Sequence, residues 1–83
     1  MNQAIQVLDG CTYIKSKSAI KMDVMFSGQI FACYISGSDK ENLDNLYKIK
    51  QFEIEEIIQR ELEQDKLNSD GELWLTATEV NAY

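Results

Sequence analysis

The sequence predicts an α+β fold. We expect two layers: a largely antiparallel four-stranded sheet and one long helix, straight or kinked, on one face, in the order β-β-β-α-β. Three observations carry this. Two apolar, β-prone runs flank Ser27-Gly28, as in a hairpin. Between Ser38 and Lys66 there is no Gly and no Pro, and apolar residues recur at helical spacing. After a turn signal at Asn68-Ser69-Asp70-Gly71, a last β-prone run follows.

Taken in order, Ala4 to Leu8 alternates weakly and is rich in β-branched residues, which predicts a first strand closed by the turn pair Asp9-Gly10. Thr12-Tyr13-Ile14 either extends it or begins the next element, and Lys15 to Ser18 is a polar connector. The hairpin runs from Ile20 to Ile35. A two-residue loop needs positive φ, which Gly28 adopts readily. That loop fixes the register. Phe26 faces Gln29, Val24 faces Phe31, Met22 faces Cys33 and Ile20 faces Ile35, all on one apolar side that should be the core face. The other side pairs Met25 with Ile30, Asp23 with Ala32 and Lys21 with Tyr34, and is mixed.

Ser38-Asp39-Lys40-Glu41 reads as a capping box, with Ser38 as N-cap and Glu41 three residues later. On the helix that follows, Leu43, Leu46, Tyr47, Ile54, Ile57, Ile58 and Leu62 share one stripe. Ile49 and Phe52 fall off it. Either the helix breaks near residue 50 and both halves pack inward, or these two side chains form an apolar patch for a partner. The last strand is expected over Glu72 to Val80, with Leu73, Leu75 and Ala77 facing one way and Trp74, Thr76 and Thr78 the other. One domain, 1–83, accounts for the whole chain, without repeats or a linker.

The order and spacing of several segments resemble a small bacterial family, domain of unknown function 1488. The residues that carry this are Met1-Asn2-Gln3-Ala4-Ile5, the hairpin Val24 to Ser36 with Gly28-Gln29-Ile30 and Cys33-Tyr34-Ile35-Ser36, Phe52-Glu53-Ile54-Glu55-Glu56, and Asp70-Gly71-Glu72. The chain departs at Tyr13, where the family often has Trp, and in a shorter loop between Ser36 and Leu43. The resemblance implies the α+β fold just derived. It implies no activity and carries over no functional residue.

The formal net charge is -6. Residues 1–35 are slightly basic, and the acids concentrate in the remainder. An acidic half repels phosphate backbones, so direct nucleic-acid binding is not expected. No run approaches the ~18 apolar residues of a membrane span, and no N-terminal segment reads as a signal peptide. A cytoplasmic protein with free thiols at Cys11 and Cys33 is expected.

Histidine is absent. That removes the usual base near neutral pH and the commonest metal ligand. The two cysteines without histidine make a poor zinc site, and the glycines sit in turns, not in a phosphate loop. We expect no catalytic residues, no cofactor, no metal and no small-molecule ligand: not an enzyme. The leading expectation is a small acidic cytosolic protein-interaction module that associates with itself. Its interface candidates are Met25, Ile30, Tyr34 and Trp74 on the open sheet face, unless residues 1–18 fold over it, and Ile49 and Phe52 on the helix back. The alternative is an acidic, nucleic-acid-mimic inhibitor, for example a phage-derived anti-defence protein. It would present Glu53, Glu55, Glu56 and Glu63 to a basic protein surface.

Overall fold

The computed structural model describes residues 5–82. Ala4, where the first strand was expected to begin, and the segment Met1–Ala4 that contributes to the family resemblance lie outside the described residues. The chain forms β1 (Ile5–Ile14), a 3-10 turn (Lys15–Lys17), β2 (Ala19–Phe26), β3 (Gln29–Ser36), α1 (Lys40–Ile49), α2 (Gln51–Glu63), β4 (Leu73–Thr76) and α3 (Ala77–Ala82). The sheet order is β1-β2-β3-β4. The first three strands pair antiparallel, and β4 joins β3 in parallel. A parallel partner needs a crossover, and α1 and α2 form it.

The hairpin register is the expected one at every pair, from Ile20↔Ile35 to Phe26↔Gln29. Ser27 (φ 52) and Gly28 (φ 78) both hold positive φ, as a type I′ turn requires. The core face carries Ile20, Met22, Val24, Cys33 and Ile35 from this ribbon, all fully buried. Phe31 is half-buried at the edge of that face, with its ring 6.4 Å from that of Phe26. From the helices come Leu43, Ile54, Ile57, Ile58 and Leu62, and from β4 Leu73 and Leu75.

Three local expectations are corrected, and one left open is decided. Asp9-Gly10 does not close the first strand. It forms a bulge between Leu8↔Asp23 and Cys11↔Met22, with Gly10 at φ +71, and β1 continues to Ile14. A bulge and a turn both recruit a left-handed glycine, so the pair looks alike in sequence. The N-cap of α1 is Asp39, not Ser38: its carboxylate accepts from the Asn42 N–H at 2.8 Å. The helix does break near residue 50, as one of its two readings expected: α1 and α2 meet at Lys50 (φ -112, ψ 29), although Ile49 and Phe52 stay exposed there. The hydrogen-bond ladder crosses the break, Lys50 N–H to the Leu46 carbonyl and Ile54 N–H to the Lys50 carbonyl. The last strand stops at Thr76 and does not reach Val80. Residues 77–82 are helical and bury Val80 in the core.

Candidate functional site

Two surfaces gather the chemically informative side chains. The first is the sheet face that the helices leave open. Tyr34 on β3 and Trp74 on β4 are register partners, and their rings stack at 4.4 Å with 9° between planes. The 3-10 turn brings Lys17 over both rings, its Nζ 5.6 Å and 5.9 Å from the centroids. Below them, Asn68 organises the loop before β4. Its side-chain oxygen accepts from the N–H groups of Asp70 (3.0 Å) and Glu72 (2.8 Å). That fixes Glu72, which accepts from the Trp74 indole N–H at 3.0 Å. This hydrogen bond holds the Glu72 carboxyl below its ordinary range, helped by the Asn68 amide and the Lys17 charge.

This cluster changes the expected sheet patch. Tyr34 is only 5% exposed, because the Trp74 indole covers it. It is therefore no interface residue in its own right. Met25 (38% exposed), Ile30 (60%) and Trp74 (37%) are open, but they do not form one patch. Met25 and Ile30 pair near the hairpin tip, and the Asp23↔Ala32 row separates them from Tyr34 and Trp74.

The second surface is the outer side of the helix layer. Ile49 is 77% exposed and Phe52 68% exposed. They stand three residues apart in sequence, on either side of the break at Lys50. Beside them, α1 and α3 enclose a groove of about 350 Å³. Leu43, Leu46, Ile49 and Ala77 supply its apolar lining, and Asn42 and Asn81 lie among its polar residues. Sequence reasoning missed this groove because it missed α3. The available signal was Thr76-Ala77-Thr78-Glu79, a capping box.

The four glutamates of the expected acidic face share the side of α2 that faces away from the core residues Ile54, Ile57, Ile58 and Leu62, within an arc of about 160°. Glu56 and Glu63 are exposed at the middle of that arc, and Glu53 and Glu55 are half-buried at its two edges. Glu56, Gln59, Arg60 and Glu63 line one shallow depression, so a cation stands among the carboxylates.

Neither thiol is activated. Burial, reinforced by the charge of Asp44, pushes the Cys11 thiol up. Burial, with Asp23 adding to it, pushes Cys33 up to about 12. Among the described residues no group of three or more His, Cys, Asp or Glu could hold a metal ion, and no helix is long and apolar enough to cross a membrane.

The sequence matches no family model and no curated protein. One solved structure is similar in fold: a protein of unknown function from the domain of unknown function 1488 family of Shewanella loihica PV-4. The two align with a TM-score of 0.75 and 24% identity, over 90% of this chain and 94% of that one. The chain thus shares the fold of a member of the family that its sequence resembles.

Proposed function

We propose that this chain is a small protein-interaction module of the bacterial cytosol that works by self-association and not by catalysis. The shared fold and the sequence resemblance support placing it in the domain of unknown function 1488 family. The observation that carries the functional reading is the pair Ile49 and Phe52, 77% and 68% exposed on either side of the break between α1 and α2. Large apolar side chains in water mark contact surfaces. The acidic-inhibitor alternative keeps its glutamates on one outer side of α2 but draws less support, because Arg60 stands beside Glu56 and Glu63 there. Sedimentation equilibrium across the micromolar range tests self-association. The expected result is a reversible monomer–dimer equilibrium. A monomer at every concentration would sink the reading.

A further inference from the structure

We propose that the outer edge of β4 is a docking groove for a short extended segment of a basic protein, which pairs its main chain with Trp74 and lays one lysine or arginine side chain in the groove. This goes beyond self-association and does not depend on it. Strand β4 stands last in the sheet order, so its outer edge meets no further strand among the described residues. Along a strand, successive residues turn their N–H and C=O toward opposite edges. Contacts at three residues fix which way each faces. The Leu75 carbonyl faces β3, where it accepts from the Ser36 hydroxyl at 3.4 Å. Glu72 faces outward: its N–H donates to the Asn68 side-chain oxygen at 2.8 Å, and its carbonyl accepts from the Asn68 N–H at 2.8 Å. Thr76 faces outward too, its N–H donating to the Glu79 carboxylate at 2.9 Å. The loop before β4 thus covers one end of the edge, and α3 covers the other. Trp74, midway, has the same outward direction, and neither cap reaches its N–H and C=O.

The gap defines its occupant. In an antiparallel pair one residue exchanges both hydrogen bonds with the residue opposite, so a single open position is enough. The covered ends keep a long strand from adding, which blocks open-ended sheet growth. Side chains alternate between faces as well. The residue opposite Trp74 therefore sets its side chain beside the indole, which is 37% exposed. The residue before it lies opposite Leu75 and points to the helix side. There a groove of about 310 Å³ lies between α2, α3 and the β4 edge. Ile57, Leu75 and Ala82 make it apolar, and Glu61 and Glu79 outnumber Arg60 at its rim. An apolar trough with an acidic rim suits the methylene stem and cationic head of lysine or arginine. A second copy of this chain fits the edge less well, because it would lay one acidic groove against another.

The test is an NMR titration of the isotope-labelled full chain with the blocked peptide acetyl-Ala-Lys-Val-Ala-amide, whose Val is to sit opposite Trp74 and whose Lys is to enter the groove. Saturable shifts should gather at the Trp74 amide and indole, at residues 57–61 and at residues 79–82. Methylating the Val nitrogen removes the donor to the Trp74 carbonyl and should weaken binding roughly tenfold. Methylating the nitrogen of the final Ala, which faces away from β4, should leave it unchanged. Replacing the peptide's Lys by Glu should abolish binding, because like charges then meet. Glu61→Gln in the protein, with circular dichroism as the folding control, should weaken the Lys peptide roughly threefold. Absent shifts, or shifts centred elsewhere, overturn the proposal. Equal sensitivity to the two methylations overturns the pairing with Trp74, and equal binding of the Glu peptide overturns the basic partner. Shifts at Trp74 on dilution of the protein alone would assign the edge to a second copy and overturn the proposal as well.

Discussion

Cys33 lies in the middle of the sheet's core face, opposite Met22, with no exposed surface. A thiol in that position behaves as a small hydrophobe, and its ionisation is resisted first by burial and then by the nearby charge of Asp23. Its folded pKa, about 12, stands above the 9.0 of an unperturbed thiol. The unfolded chain therefore releases this proton first as pH rises. The stabilisation is complete below about pH 9 and is lost progressively toward about pH 12. One unit above the unfolded pKa the loss amounts to about 1.4 kcal/mol. The urea midpoint of the wild type should fall in this range. Cys11 and Tyr47 are also pushed up, so the comparison that isolates Cys33 is with Cys33→Ala. That variant starts less stable, through its cavity, but should fall less steeply with pH. Parallel curves for the two proteins would show that Cys33 does not contribute.

At the scale of elements, α3 depends on a reciprocal cap. The Thr76 hydroxyl accepts from the Glu79 N–H at 3.0 Å, and the Glu79 carboxylate accepts from the Thr76 N–H at 2.9 Å. This box ends β4 and turns the chain so that Val80 is buried. Thr76→Ala should cost about 1 kcal/mol, seen as a lower urea midpoint together with faster amide exchange over residues 77–82. Thr76→Ser should keep most of it. Unchanged exchange in Thr76→Ala would show that packing alone holds α3. The box was present in the sequence but hidden by Leu73, Leu75 and Ala77, which continue a strand-like alternation past the true end at Thr76. The hairpin was legible because its two-residue turn leaves no freedom of register. The face of α2 was legible because Ile54, Ile57, Ile58 and Leu62 keep one phase. The break was only half legible. Lys50 carries no breaking signal of its own, and only the mismatch of Ile49 and Phe52 with the stripe betrayed it. The candidate site divides in the same way. Ile49 and Phe52 stood out locally, whereas the burial of Tyr34 follows from the parallel register that sets Trp74 beside it. That register is a long-range pairing which no local pattern encodes.

On the scale of the whole molecule, charge opposes compactness. The net charge of -6 is held within a radius of gyration of 11.8 Å. It is also uneven. Glu53, Glu55, Glu56, Glu61, Glu63 and Asp65 fall within one stretch that contains the single cation Arg60, while Lys17 is drawn to the Tyr34 and Trp74 rings on the far layer. The ion pairs Lys21–Asp23 (3.9 Å) and Lys40–Asp44 (2.8 Å) also lie away from that stretch. Carboxylates on successive turns of one helix repel over distances comparable to the Debye length, about 10 Å at 0.1 M salt, so added salt should relieve them. Relief of roughly 0.5–1 kcal/mol corresponds to a rise in Tm of about 2–8 °C for a domain of this size. Sodium chloride is the salt to use, because sulfate strengthens apolar burial by a separate route. Dimerisation also raises Tm by mass action, so the melts belong on Phe52→Gln as well as on the wild type. A rise in both proteins identifies self-repulsion within the chain. A flat or falling response in Phe52→Gln would mean that the acids of α2 are locally compensated, and that the net charge acts on the surroundings of the molecule and not on its fold.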